Sequence, residues 1–220
     1  MNWKKMIDLH THTLFSDGVL LHSELVYRAK FNGYKTIAIT DHVDYSTYDY
    51  VIPRIIKVSK ILQDNYEINV FAGVEITYVP PKLIKDMVIK CKNLGAKIIV
   101  VHGETVAETV PPQTNHYAIQ AGIDILAHPG HITKEDVLLA KENNVCLEIT
   151  TRAGHNATNK EVAMCALECG AKLVLNTDSH EPQNLLDKIK IENTLKQSGL
   201  KLDYFNIMQQ NSYTIVASKK

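Results

Sequence analysis

The chain has 220 residues, and its 24 Lys plus Arg are balanced by 24 Asp plus Glu. Zero formal charge gives no global field to gather long nucleic acid or an anionic membrane. Hydrophobic content of 45% with 22% charged residues describes a folded globule, and no apolar run reaches the roughly 18 residues of a membrane span.

The N-terminus, MNWKKMIDLHTH, carries two lysines but no apolar stretch of signal-peptide length, so the expected location is the cytoplasm. Met6–Leu9 reads as a first strand. Ser23 opens a helical stretch that runs through Asn32 and stops at Gly33, and Thr36–Thr40 is the second strand. Tyr45, Tyr48 and Tyr50 crowd what reads as the loop after His42. Val70–Ile76 is the third strand. Pro80 and Pro81 open a helix ending before Gly95, and Ala96–Val101 is the fourth strand. Ile123–Ala127 is the fifth. Thr133, with Glu135 and Asp136 in its first turn, begins a helix through Asn143. Val145–Ile149 is the sixth strand. A helix over Glu161–Cys169 stops at Gly170, and Lys172–Asn176 is the seventh strand.

These runs are continuous rather than alternating, the pattern of parallel strands covered on both faces. About seven βα repeats give either an open doubly wound sheet or a closed barrel. No Gly-rich phosphate loop follows the first strand, which argues against a dinucleotide-binding sheet. With no linker, low-complexity tract or repeat, one domain over residues 1–220 is expected. Cys91, Cys146, Cys165 and Cys169 form no C-x-x-C pair and read as reduced thiols.

The polar residues fall where the strands stop. The seven ends run into His10-Thr11-His12, Asp41-His42, Glu75, His102, His128-Pro129, Glu148 and Asp178-Ser179-His180. In parallel βα folds the ligand-binding groups gather at the C-terminal strand ends. Six of the ten histidines sit there, accompanied by Asp17, Glu75 and Asp178. The i,i+2 spacing of His10/His12 and of Asp178/His180 puts both members on one face of an extended segment. So many imidazoles in one place are costly without a shared cation, and imidazole with carboxylate is the donor set for Zn, Mn or Fe. Asp41 reads as a partner fixing a histidine tautomer, Glu148 as a core-facing paired carboxylate, and Glu104 as a proton carrier or an ordinary loop residue. His22 and His116 read as surface residues. His131 and His155 are candidates for substrate contact. Arg152, on the rim after the sixth strand, has the fork that suits a phosphate.

The segments DLHTHTLFSDG, ITDH, GVEIT, HGE, AHPG and NTDSH, in this order over residues 7–187, resemble the PHP family, named for polymerase and histidinol phosphatase. The resemblance implies a distorted (β/α)7 TIM-like barrel with two or three divalent ions (Zn, Mn or Fe) at the C-terminal rim. His10, His12, Glu75 and Asp178 would hold one ion. Glu75 would bridge to a second, completed by His102 and His128. Asp17, His42 and His180 would hold the third. LEITTRAGHNATN looks like a histidinol-phosphatase-like subgroup, whereas the ending from Asp203 departs from the family's usual one.

The implied activity is a metal-dependent phosphatase acting on a small phosphorylated metabolite or nucleotide through a metal-bridging hydroxide, with Glu75, Arg152 and His155 as catalytic residues. Arg152, His155 and His131 would contact substrate, and His155 or His131 would protonate the leaving group. Three divalent ions against three carboxylates and a hydroxide leave roughly two positive charges, the complement of a phosphate dianion. A nucleotide phosphodiesterase or 3′–5′ exonuclease could use the same cluster. An amidohydrolase barrel would need a strand-four lysine where His102 stands. A non-catalytic module would be free to lose ligands, but here all the ligand positions are filled.

Overall fold

The computed structural model describes residues 6–219. Residues 1–5, which include both lysines of the N-terminal segment, lie outside the described residues. Strands β1 (Met6–Asp8), β2 (Tyr34–Ile39), β3 (His42–Val43), β4 (Asn69–Ile76), β5 (Ile98–His102), β6 (Ile125–Ala127), β7 (Cys146–Thr150) and β8 (Leu173–Asn176) form one parallel sheet. Its order is β1-β2-β4-β5-β6-β7-β8, with β3 laid beside the upper half of β4. The seven expected strands are present. The eighth, β3, is only two residues long, too short to register as an apolar run, and it carries His42.

The two ends of the sheet approach one another and nearly close a barrel. Thr11 and Ser179 form a parallel bridge above β1 and β8. The Leu9 amide donates to Asn176 Oδ1 at 2.9 Å, and Thr177 Oγ1 donates to Asp8 Oδ2 at 2.6 Å. Asp8 is fully buried, and burial pushes its pKa up to about 7 against the hydrogen bonds from Thr177.

Helices α1 (His22–Phe31), α2 (Tyr48–Tyr66), α3 (Ile84–Asn93), α4 (Thr114–Gln120), α5 (Lys134–Glu142), α6 (Asn159–Cys169), α7 (Lys188–Gln197) and α8 (Tyr204–Ala217) are joined by short 3₁₀ turns at Pro81–Leu83, His155–Thr158 and Pro182–Asn184. Helix starts and stops follow local chemistry. Thr133 caps α5 by accepting from the Asp136 amide, and Gly170 ends α6 in a left-handed conformation at φ 73°. Tyr48 and Tyr50 belong to α2, not to the loop expected there. The helix is driven by its buried face, Val51, Ile52, Ile55, Ser59 and Leu62.

Barrel closure explains why the strands read as continuous apolar runs. Side chains alternate between two faces, and both are buried. Val74, Ile76, Ile99, Val101, Leu147, Ile149, Leu173 and Leu175 face the helix layer. Ile7, Leu9, Ala38, Ile98, Val100, Ile125, Ala127, Cys146 and Val174 fill a separate interior cluster. Val216 joins that interior cluster from α8. The ending from Asp203 is therefore a structural part of the barrel. Gln209 accepts from the Ile7 amide at 2.7 Å and donates to the Ile7 carbonyl at 3.1 Å, where the register of β1 against β2 shifts. Asn211 donates to the Leu173 carbonyl at the start of β8. Helix α8 thus clips the entry ends of the two strands at the seam.

No disulfide forms among the described residues, and the four cysteines are free. Burial pushes the thiols of Cys91 and Cys146 up to about 12, so both behave as small apolar groups. No helix among the described residues is long and apolar enough to cross a membrane.

Removing the Gln209 amide strands a backbone donor and acceptor at the seam. Gln209→Ala is expected to cost about 2 kcal/mol, read as a lower urea midpoint at unchanged slope. An unchanged midpoint would show that α8 is not needed to hold the seam.

Candidate metal centre

The strand register that fills the barrel also builds the site. Along each inward stripe the residues are apolar at the bottom and polar at the top. Phe71 and Gly73 lead to Glu75, Ile98 and Val100 to His102, Cys146 to Glu148, and Val174 through Asn176 to Asp178. His10 and His12 follow β1, His128 follows β6 and His180 follows β8. His128 and Asp178 hold positive φ, 26° and 51°, a region that L residues enter at a cost and that recurs at functional sites. Gly103, next to His102, is required by crowding, since a Cβ there would lie 2.3 Å from the Ala127 carbonyl oxygen.

His10, His12, Glu75, His102, His128, Asp178 and His180 are buried. His42 is partly exposed, and Asp17 is the most open of the expected ligands, its side chain 55% exposed. The donors approach closely. His10 Nε2 lies 3.2 Å from Glu75 Oε2, and His12 Nε2 lies 3.1 Å from Asp178 Oδ1. His128 Nε2 is 3.5 Å from Glu75 Oε1, and His180 Nε2 is 2.9 Å from Asp17 Oδ1. Four overlapping groups have their donor atoms within 4.8 Å of one another: His12, Asp17, His42 and His180; His10, His12 and Glu75; His10, His128 and Asp178; and His102, His128 and His155.

These donors fit divalent ions. His10 Nε2, His12 Nε2, both Glu75 oxygens, His128 Nδ1 and Asp178 Oδ1 are buried with no hydrogen-bond partner. Stranded polar atoms of this kind are expensive unless something satisfies them. Metal–ligand bonds of about 2.1 Å place neighbouring donors about 3 to 3.5 Å apart, the spacing found here. The far sides of two rings are anchored. His10 Nδ1 lies 2.8 Å from Glu148 Oε1, and His180 Nδ1 2.9 Å from the Asp178 carbonyl oxygen, while His42 Nδ1 meets Thr77 Oγ1 at 2.7 Å on the side it turns to Glu75. Such anchors fix the tautomer and aim the other nitrogen.

Electrostatics follow from the crowding. Burial opposes charge on His10, but Glu148, Glu75 and Asp178 together hold its pKa well above the ordinary value. Burial would raise Glu75 and Asp178, yet the surrounding imidazoles keep both well below the carboxylate range. His12 is pushed down to about 4 by burial and by the charge of His42. Both carboxylates are therefore anionic and His12 is neutral at pH 7, as ligands need, whereas the neighbouring carboxylates raise His10, His42 and His128, whose ligand nitrogens would give up their protons to a bound cation.

The structure places the other candidates unequally. Arg152 is half-buried at the rim, its Nε 3.6 Å from Asp178 Oδ2 and its Nη1 donating to the Asp178 carbonyl. His155 is buried beside His128, ring centroids 4.4 Å apart. His131 is not brought to the cluster. It lies on the surface and pairs with Glu161 at 2.7 Å. Glu104 accepts from the Asn115 amide while Asn115 Oδ1 accepts from the Glu104 amide, so it clips the loop onto α4. Asp41 touches no expected ligand directly. It accepts from Thr13 and Ser16, shapes the loop after β1, and reaches His12 only through the Ser16 hydroxyl, 3.4 Å from His12 Nδ1. His22, read as a surface residue, is buried against Phe15 and bonded to Thr13 Oγ1. Glu148 is core-facing and paired, as expected. Sequence reasoning passed over Glu108 and Tyr78, which reach His102 from two loops, because neither follows a strand directly.

A family model described as the PHP domain matches residues 8–168. An uncharacterized protein of Methanocaldococcus jannaschii is 50% identical over 182 residues, covering 82% of this chain and 84% of its own. A protein of Shewanella pealeana named "Probable phosphatase" is 29% identical, covering 91% of this chain and 87% of its own. Among solved structures, a candidate histidinol phosphatase of Listeria monocytogenes shares the fold with a TM-score of 0.59 at 13% identity, covering 83% of this chain and 98% of that one. With the matched segment spanning most of the barrel and seven of its nine expected donors, His10 to His128, the chain belongs to the PHP domain family.

Proposed function

We propose that the chain is a metal-dependent phosphatase that hydrolyses a phosphate monoester of a small metabolite, with L-histidinol phosphate the first candidate. The observation that carries this reading is the set of stranded donors at the barrel rim, aimed at common points beside the guanidinium of Arg152. The relatives named for phosphatase activity support it.

His10, His12, Asp17, His42, Glu75, His102, His128, Asp178 and His180 would hold two or three divalent ions, Zn, Mn or Fe. When bound, such ions supply Lewis acidity and bring the pKa of a bound water towards neutrality. Glu75 is the carboxylate shared between donor groups, with His10, His12, His42 and His128 all approaching its oxygens. Arg152, braced by Asp178, presents an always-charged donor for non-bridging phosphate oxygens. Glu148 acts one step removed, holding His10 Nδ1 with one oxygen and accepting from the His128 amide with the other. His155 does not suit the expected role of proton donor. Burial and the charge of His128 push its pKa down to about 4, so at neutral pH the ring is uncharged and lacks the acidic second proton. The leaving oxygen takes its proton from solvent at the open rim.

Chelator-stripped protein reloaded with Mn²⁺, Zn²⁺ or Fe²⁺ should release phosphate from L-histidinol phosphate well above a panel of other monoesters, diesters and nucleotides. Asp178→Ala should abolish that release. Turnover of diesters with silence on every monoester would refute the reading. Arg152→Ala should lower kcat/KM about 100-fold, whereas an unchanged value would remove the arginine from substrate binding. Glu148→Gln should weaken metal binding about 10- to 100-fold in a chelator competition without unfolding the protein, because the ring of His10 loses its anionic anchor.

A further inference from the structure

The His102 side of the cluster contains donors that the nine-residue set does not use. Glu108, in the loop between β5 and α4, reaches back over the rim. Its Oε2 lies 3.4 Å from His102 Nε2, and its Oε1 lies 3.5 Å from His155 Nε2. Tyr78 holds this carboxylate in place by donating its hydroxyl to Oε2 at 3.2 Å, with its ring stacked on His102. Tyr78 does so from a left-handed backbone at φ 53°, an arrangement that a tyrosine adopts only under constraint.

The tautomers make this contact informative. His102 Nδ1 faces the Gly103 carbonyl oxygen at 3.1 Å, and a carbonyl only accepts. Nδ1 therefore carries the hydrogen, and Nε2 of the neutral ring presents a lone pair to the Glu108 carboxylate. His155 is fixed in turn by Thr105 Oγ1 at its Nδ1, which leaves its Nε2 turned to the other Glu108 oxygen. The lone pair of His102 Nε2 facing a carboxylate oxygen at ligand-to-ligand spacing is repelled unless a cation lies between them, and His155 Nε2 meets the other oxygen of the same carboxylate. The same signature occurs at His180, whose Nδ1 faces a carbonyl and whose Nε2 faces Asp17.

We infer that Glu108 and His155 are additional ligands of the divalent ion on the His102 and His128 side. This carries the ion's shell out of the barrel and onto the β5–α4 loop. The filled side would leave that ion few open positions. Substrate oxygens would then be received by the His12, Asp17, His42 and His180 side and by Arg152. Binding of the ion also ties the loop to the barrel. The inference rests on reading the cluster as a metal centre and not on the phosphatase reading.

The test uses metal alone. The full chain is stripped with chelator and titrated with Co²⁺ and with Zn²⁺. Ions retained per chain, affinity by chelator competition, and the visible Co²⁺ spectrum are compared for wild type, Glu108→Gln and His155→Gln. Glu108 lies in a surface loop with its side chain 42% exposed, so its replacement leaves the core intact. Each variant is expected to lose one ion or to hold it at least about tenfold more weakly, with an altered Co²⁺ spectrum. Metal should slow amide exchange over residues 105–110 in wild type but not in Glu108→Gln. Wild-type affinity, ion count and spectrum in either variant would overturn the shared shell. They would do so even if KM for a phosphate ester rose, since the residue would then read substrate instead. None of these readouts uses turnover, so failure of the phosphatase reading would leave them unchanged.

Discussion

Glu75 is a fully buried carboxylate with four imidazoles directed at its two oxygens and no hydrogen bond satisfying either one. In a barrel interior a buried charge is costly unless cationic or donor groups face it. Much of the upper barrel positions groups around that point. His10 is held by Glu148, Glu148 is held by Asn176, and Asn176 also receives the amide of Leu9 across the seam. The residues that close the barrel are thus continuous with those that aim the donors.

Under the proposed phosphatase reading, that continuity explains how a neutral chain would receive a dianion. The global charge supplies no attraction, and the positive charge would be focused at one rim by bound ions and Arg152. Desolvation makes each interaction there stronger than it would be at the surface. The strain at His128 and Asp178 belongs to the same design. Both residues leave the strand geometry just where their side chains must turn into the rim, and neighbouring hydrogen bonds hold them there.

The barrel also separates its two ends by function. The lower interior is apolar and closed by Val216 and its neighbours on α8, so it contributes cohesion. The upper interior is polar and open on the side of Asp17 and Arg152. Loops from β4 and β5 cover the His102 side with Tyr78 and Glu108, whereas the His12, His42 and His180 side has only the half-exposed Asp17. The two halves of the cluster therefore differ in access, although their donors are of the same kinds.

The amino-acid sequence alone determined the βα order, the seven main strands and the positions where polar residues end each apolar run. Those properties follow from local periodicity and from residue types at strand ends, which act over a few residues. It also identified Glu148 as a paired core carboxylate, because an acidic residue within an apolar run has few other options. Tertiary structure decided what depends on distant segments meeting. Closure into a barrel rests on the seam between Asp8 and Thr177, 169 residues apart in sequence. The burial of His22, the surface position of His131 and the loop role of Asp41 depend on which neighbour each side chain meets. Glu108 and Tyr78 carry no local motif. They join the site only because two loops fold back over His102, and no pattern in a single chain records that approach.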